Sequence, residues 1–197
     1  MLPKITTRVA AALALALPAI ASAQLQNLYS TDWISIHQTL HSYALAVDSK
    51  KYSLLGETFT QNATADYGAG LGVLQGLSAI EEGLQTIVYG KIDGINSLAP
   101  VDSQHVLSTT VIDIHIDGAT ANSTTYFSTN QFGRGDYEGE VYHSYGKYLD
   151  ELVRFPSPRA EGRWEGSWRG VEWRVQKRML VYLGPAQGNV SIFLASS

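Results

Sequence analysis

The chain has 197 residues, with 14 Lys and Arg against 18 Asp and Glu and a net charge of −4. Its acidic pI of about 5.7 provides no basic surface for nucleic acid, so nucleic-acid binding is not expected. The sequence contains no cysteine, which excludes disulfides, thiol chemistry and cysteine-bound metals. A hydrophobic core must therefore stabilise the fold, and a chain of this length can form one.

The first residues follow the three-part pattern of a secretory signal peptide. A basic start is followed by an apolar run over residues 9–20 and by the small cleavage site Ala21-Ser22-Ala23. The run is shorter than the roughly 20 residues that span a bilayer, which favours a cleaved leader over a membrane anchor. We therefore expect residues 1–23 to be removed and residues 24–197 to form one secreted domain that is not attached to a membrane.

Three glycosylation acceptor patterns agree with this route, because such sites are used only on surfaces in the secretory pathway. They begin at Asn62, Asn122 and Asn189. Short patterns of this kind also arise by chance, so they support secretion without deciding it.

The N-terminal half predicts three helices. Apolar residues at spacings of three and four over residues 33–47 predict an amphipathic helix, with a cap at residues 30–32. Asp48 follows at its C-terminal end, where the helix dipole disfavours a negative charge, so the carboxylate needs a hydrogen-bond donor or solvent. Residues 52–59 predict a second short helix, and residues 78–88 predict a third.

The rest of the chain predicts strands. Residues 63–67 form a short one, and the glycine-rich residues 68–72 lack the dinucleotide-binding spacing, which favours a turn over a phosphate loop. Asp117-Gly118 predicts a two-residue hairpin turn. Four long strands are predicted over residues 106–116, 119–131, 140–155 and 171–183. Helices first and antiparallel strands last predict an α+β fold in which the helices cover one face of a strongly curved antiparallel sheet.

Five residue groups stand in a characteristic order from the first helix to the last strand. They are Ser42-Tyr43-Ala44, Val47-Asp48-Ser49-Lys50, Asp66-Tyr67, Gln104-His105, and Trp173-Arg174-Val175 with Arg178. This order resembles the SnoaL-like proteins of the nuclear transport factor 2-like superfamily, and most of all their scytalone-dehydratase-like members. The resemblance extends over residues 33–183.

The resemblance implies a cone-like fold in which the curved antiparallel sheet and the N-terminal helices enclose an apolar pocket. It also implies a dehydratase-like lyase, or a cyclase or isomerase, that uses neither a cofactor nor a metal. The expected partner is a small apolar or aromatic substrate, such as a polyketide-like ketone. Assembly as a homodimer or homotrimer is compatible with this family.

By position, the resemblance makes Asp48, His105 and Tyr67 the candidate catalytic residues. Histidine titrates near neutral pH and can take a proton from carbon and return it. A carboxylate that accepts from one ring nitrogen leaves the other free, and a tyrosine hydroxyl can polarise a carbonyl oxygen. A contact below about 3.2 Å between Asp48 and His105 would favour an enzyme.

Several positions depart from the scytalone dehydratase pattern. Ser128-Thr129-Asn130 stands where that enzyme has a second histidine, and Val47 replaces a tyrosine beside the aspartate. Gly146 and Tyr148 replace a serine and an asparagine on the third long strand. The base is retained while the acid and the substrate contacts differ, so scytalone itself is disfavoured as the substrate. A small-molecule-binding module without chemistry is the alternative function.

Structural interpretations stand beside the functional ones. Asp48 could simply cap a turn, and His105 and Tyr67 could be ordinary core residues. His37 and His41 share a helix face, but no acidic or cysteine ligand stands at a zinc spacing, so no metal site is predicted.

Charged residues of the last two long strands are expected at the surface. Arg178 is assigned to a solvated strand face, and Asp150, Glu151 and Arg154 are assigned to surface ion pairs of small value. The loop Pro156–Gly170 is a candidate pocket lid or partner surface.

Overall fold

A computed structural model describes residues 29–89, 101–156 and 171–193. The expected leader and most of the two predicted loops, at 90–100 and 156–170, lie outside these residues. The described helices are α1 (residues 29–48), α2 (Leu77–Tyr89) and the 3-10 helices Tyr52–Glu57, Gly135–Tyr137 and Val190–Phe193. The described strands are β1 (Phe59–Asp66), β2 (Val73–Gln75), β3 (Val101–Ile114), β4 (Thr120–Gly133), β5 (Val141–Pro156), β6 (Val171–Tyr182) and β7 (Gln187–Gly188).

The seven strands form one sheet in the order β2-β1-β6-β5-β4-β3, with β7 paired to β5. The α+β prediction is therefore confirmed, but the sheet is mixed rather than purely antiparallel, because β1 and β6 run parallel. These two strands are not joined by a hairpin, so the connection between them does not force opposite directions. Irregularities in the pairing of β1, β3 and β5 add twist and help an unclosed sheet to curve.

Helix α1 lies across the concave face of the sheet. Near its start, the Trp173 indole N–H donates to Asp32 Oδ1 at 3.1 Å, and Thr39 Oγ1 donates to the Trp173 carbonyl at 2.8 Å. Its last residue contacts β3, on the far side of β5 and β4. The apolar side chains between these points are buried against the sheet: Ile36, Leu40, Tyr43 and Val47. The helix thus spans from β6 to β3 and closes one side of a cavity.

Local boundaries differ from the predictions in several places. Residues 30–32 lie inside α1 rather than capping it, and Trp33 is 42% exposed although it was predicted on the buried face. The second predicted helix is a 3-10 helix that ends before Phe59, which belongs to β1. The hairpin between β3 and β4 is confirmed, and Gly118 has a φ of 63°, but the loop is longer than the predicted two residues, because the pairing reaches only to His115 and Thr120. No helix in the described ranges is long and apolar enough to cross a membrane.

Candidate active site

The site begins where α1 ends. The amide of Lys51 donates to the Ala46 carbonyl at 2.9 Å and that of Lys50 to the Val47 carbonyl at 3.0 Å, the pairing of a Schellman motif. Lys50 occupies the left-handed position of this motif with a φ of 57°, where glycine is usual. Its Nζ donates to the Val101 carbonyl at the start of β3, at 2.7 Å. Lys50 therefore ties the end of α1 to the strand that carries His105.

Asp48 and His105, 57 residues apart in sequence, make two contacts. Asp48 Oδ1 lies 2.6 Å from His105 Nδ1, and Asp48 Oδ2 accepts the His105 backbone N–H at 2.8 Å. A carboxylate can only accept, so Nδ1 carries a proton, and in the neutral ring Nε2 therefore presents its lone pair. Nε2 has no hydrogen-bond partner among the described residues. The His105 side chain is 8% exposed and that of Asp48 is 21% exposed, so the pair is shielded from most solvent.

His105 lies on the wall of a cavity of about 140 Å³. The polar side chains on this wall include His105, Tyr67, Thr129, Gln131 and Ser144. The apolar and aromatic ones include Val47, Leu84, Phe127, Tyr148, Leu180 and Phe193. Phe127 and Tyr148 stack on each other with ring centroids 4.4 Å apart, so part of the cavity wall is a packed aromatic pair. The cavity can thus hold an apolar ring beside a few hydrogen-bonding groups.

Tyr67 follows β1 directly and is 5% exposed, and it lines the same cavity as His105. Burial raises the pKa of Tyr67 well above its usual value of 10, and the neighbouring Tyr43 raises it further. The phenol is therefore protonated at neutral pH and can donate a hydrogen bond. Its buried hydroxyl makes no close hydrogen bond among the described residues, although the Tyr43 side chain is near enough to raise its pKa. The structure thus places His105 and Tyr67 on the wall of one cavity, and Asp48 contacts His105 without lining the cavity itself.

A buried ion pair beneath the cavity was missed by the sequence prediction. Arg178 and Asp150 are 1% and 2% exposed, so assigning them to the surface was wrong. Two guanidinium nitrogens of Arg178 donate to the two Asp150 oxygens at 2.7 and 2.8 Å, and its Cζ lies 4.2 Å from the ring centres of both Tyr43 and Tyr148. Burial opposes the charge, but the paired carboxylate outweighs it and raises the pKa of Arg178. The cation therefore supports the aromatic floor of the cavity.

One signal in the sequence could have located half of this pair. Asp150 stands between Tyr148 and Leu152 in the strict alternation of β5, and all three are buried. The same alternation fails on β6, where Trp173 and Val175 are buried but the next inward residue is Arg178. The irregularity in pairing between β5 and β6 shifts the register there, and it has no signature in the sequence pattern.

The surface ion pairs predicted for Glu151 and Arg154 have different outcomes. Glu151 pairs with Lys177 at 3.0 Å at the surface, as predicted. Arg154 pairs with Asp32 at 3.3 Å in a partly buried site rather than an exposed one. The described residues contain no group of three or more histidine and acidic side chains that could hold a metal ion. The His37 ring packs on Trp33 with centroids 4.0 Å apart, which is a packing role.

The positions that depart from the scytalone dehydratase pattern gather around the cavity. Val47, Thr129 and Tyr148 line it. Gly146 lies directly opposite Phe127 on the neighbouring strand, and a Cβ at Gly146 would come within 2.6 Å of the Phe127 ring. The glycine therefore makes room for the Phe127 ring. These departures reshape the cavity while the Asp48–His105 contact is kept.

Comparisons with known proteins agree on the fold. The model of the SnoaL-like domain matches residues 29–178. No curated protein matches the sequence significantly. The similar solved structures include the following three crystal structures. A proposed scytalone dehydratase from Novosphingobium aromaticivorans is 18% identical, with 83% of this chain and 91% of that chain covered and a TM-score of 0.59. The protein Kfla4162 from Kribbella flavida is 16% identical, with 85% and 99% covered and a TM-score of 0.61.

The third is a type 2 hexachlorocyclohexane dehydrochlorinase, LinA, at 12% identity, with 87% of this chain and 97% of that chain covered and a TM-score of 0.58. At these identities, the similarity to the crystal structures shows only that the fold is shared. The domain match, by contrast, extends over most of the sequence and includes both Asp48 and His105. Together with the curved sheet and the helices on its concave face, it shows that the chain belongs to the SnoaL-like domain family and has the nuclear transport factor 2-like fold.

Proposed function

We propose that the protein is a secreted, cofactor-free lyase or cyclase that removes a proton beside the carbonyl of a small aromatic or polyketide-like ketone. His105 acts as the general base, Asp48 positions its ring, and Tyr67 donates to the carbonyl oxygen. The observation that carries this proposal is the 2.6 Å contact between Asp48 Oδ1 and His105 Nδ1 at the wall of the cavity.

The proton moves from carbon to His105 Nε2, and the electrons of the broken C–H bond form an enolate. Asp48 stabilises the imidazolium that results, and a positioned base of this kind contributes roughly 10²- to 10⁴-fold in rate. Tyr67 is held in its protonated form by its raised pKa, so it can donate to the enolate oxygen. Such a donor in a water-poor site is worth about 3 kcal/mol.

The cavity supports a ligand built on one aromatic ring. Its volume of about 140 Å³ is close to that of cavities that bind a single benzene-sized molecule. The side chains of Phe127 and Tyr148 on its wall offer aromatic contacts for such a group. The enolate then loses water where a hydroxyl lies on the next carbon, or it closes a ring onto a second carbonyl.

His105→Ala tests the proposal, with His143→Ala as the matched control. His143 also lies on a strand of this sheet and its Nδ1 is 2.7 Å from Asn130 Oδ1, but it does not line the cavity. The assay follows water loss from the aldol adduct of benzaldehyde and acetone, a β-hydroxy ketone with a phenyl ring on the hydroxyl-bearing carbon, and proton exchange of benzylacetone in D₂O. We expect both rates to fall at least 10²-fold in H105A and to persist in H143A. Wild-type rates in a folded H105A would refute the assignment.

A binding module without chemistry is the second candidate. One observation favours it: no carboxylate lines the cavity wall, and His105 is the one imidazole among its described lining residues. A leaving group would thus have no second strong acid to protonate it. Calorimetry with the same two phenyl-substituted ketones separates the two functions, because saturable binding with neither product nor proton exchange would support the binding module.

Secretion is proposed on the leader pattern and on acceptor sites that face solvent. Asn62 and Asn122 are both exposed on their strands. N-terminal sequencing of protein from the culture medium should begin at Gln24. Full-length protein that remains inside the cell would contradict the proposal.

A further inference from the structure

The strand wall around His105 carries one row of polar side chains. His105 on β3 lies directly opposite Thr129 on β4, and Thr129 lies directly opposite Ser144 on β5. All three line the cavity. Residues opposite one another in adjacent antiparallel strands have Cα atoms about 4.5 to 5.5 Å apart. The two hydroxyls are therefore immediate neighbours of the base, on the same wall.

The two hydroxyls form a pair with an unused donor. Thr129 Oγ1 lies 2.5 Å from Ser144 Oγ, and neither atom has another hydrogen-bond partner among the described residues. Each hydroxyl has one hydrogen to donate, and the bond between them uses one of the two. Thr129 is 7% exposed, so little water can reach its side chain. The pair thus presents one O–H donor and several acceptor lone pairs to whatever occupies the cavity.

We propose that the Thr129–Ser144 pair binds a hydroxyl oxygen of the substrate, the one on the carbon next to the carbon that His105 deprotonates. This deepens the proposed function and rests on it. It makes the substrate a β-hydroxy ketone whose apolar ring lies against Phe127 and Leu180. The row places the oxygen site beside the base, as a reaction at two adjacent carbons requires.

The elimination then balances with the groups present. The C–H bond breaks and its proton goes to His105 Nε2, while its electrons form the new C=C bond. The C–O bond breaks with its electron pair on oxygen, and the oxygen takes the same proton back from His105 and leaves as water. The hydroxyl pair donates a hydrogen bond to the departing oxygen and keeps its own protons. Because the base and the oxygen site lie on one wall, His105 can both remove the proton from carbon and return it to the leaving oxygen.

Thr129→Val and Ser144→Ala remove the pair with little change in size, and Thr129→Ser keeps the hydroxyl. Thr124→Val is the matched control, because Thr124 lies between inward residues on the opposite face of β4. The two readouts are water loss from the benzaldehyde–acetone aldol adduct and proton exchange of benzylacetone, which lacks the hydroxyl. We expect the ratio of the first rate to the second to fall roughly tenfold in T129V and S144A, and to stay at the wild-type value in T129S and T124V.

An unchanged ratio in T129V and S144A would overturn the inference, whatever happens to the absolute rates. Failure of the proposed function has a different signature, because wild-type protein would then exchange the benzylacetone proton no faster than H105A. In that case the affinities for the two ketones test the inference instead. Wild-type protein should bind the aldol adduct more tightly than benzylacetone, and T129V should bind the two equally. Equal affinities for the two ketones in wild-type protein would also overturn the inference.

Discussion

Replacing Asp48 with asparagine keeps the shape of the side chain but removes one of the two acceptors that His105 uses. In the wild-type protein, Oδ1 accepts a hydrogen bond from the ring Nδ1 at 2.6 Å, and Oδ2 accepts one from the backbone N–H at 2.8 Å. Asparagine has one oxygen and one N–H₂ group, so only one of these two donors keeps an acceptor. When the oxygen stays with the backbone, the amide donates to Nδ1. The ring proton then moves to Nε2, the atom that must accept the substrate proton.

The magnitude follows from these contacts. A hydrogen bond to a charged group contributes about 1.5 to 3 kcal/mol, and a buried donor without an acceptor costs about 1 to 3 kcal/mol. His105 is only 8% exposed, so water compensates little of this loss. Restoring the active tautomer in D48N therefore costs about 3 to 5 kcal/mol. That cost corresponds to a loss of roughly 10²- to 10⁴-fold in kcat.

The measurement is kcat for water loss from the benzaldehyde–acetone aldol adduct, with proton exchange of benzylacetone as the second readout. Asp113→Asn is the control, since Asp113 is exposed on the outer face of β3. Thermal unfolding of both variants separates a chemical effect from a folding defect. Wild-type kcat in a D48N protein that is fully folded would refute the tautomer argument, and equal losses in D48N and D113N would show a nonspecific effect of charge.

Three further predictions concern the surroundings of the dyad. Arg178→Met leaves Asp150 buried without its partner and should lower the free energy of unfolding in urea by about 3 to 5 kcal/mol. The double variant that also carries Asp150→Leu should recover part of this loss. No recovery in the double variant would contradict the prediction. Gly146→Ala brings a Cβ within 2.6 Å of the ring opposite and should cost about 1 to 3 kcal/mol in thermal unfolding, whereas Gly184→Ala, with nothing within 4 Å, should cost less. Burial raises the pKa of Tyr67 in the folded protein above the pKa near 10 of the unfolded chain. The contribution of Tyr67 to stability should therefore be constant below about pH 10 and fall as the pH rises toward the folded-state pKa. An equally steep fall in Tyr67→Phe would contradict this prediction.

Much of the fold was accessible from local patterns. The period of α1, the alternation of the long strands and the Asp117-Gly118 turn each depend on residues close in sequence, and the structure confirms them. Their order identified the α+β class. Local patterns could not identify the parallel pairing of β1 with β6, since strand direction is set by how distant segments meet. Errors at element ends, such as a β3 that begins at Val101, have the same origin.

The candidate site, like the fold, was predictable from the sequence only where local features determine it. The residue types of an Asp–His pair, and the position of Asp48 at a helix end that disfavours its charge, were present in the sequence itself. Only the tertiary structure decided that α1 crosses the sheet far enough to bring Asp48 to His105. Only the shifted register on β6 turned Arg178 inward to Asp150, because one extra residue in a strand moves every later side chain to the other face.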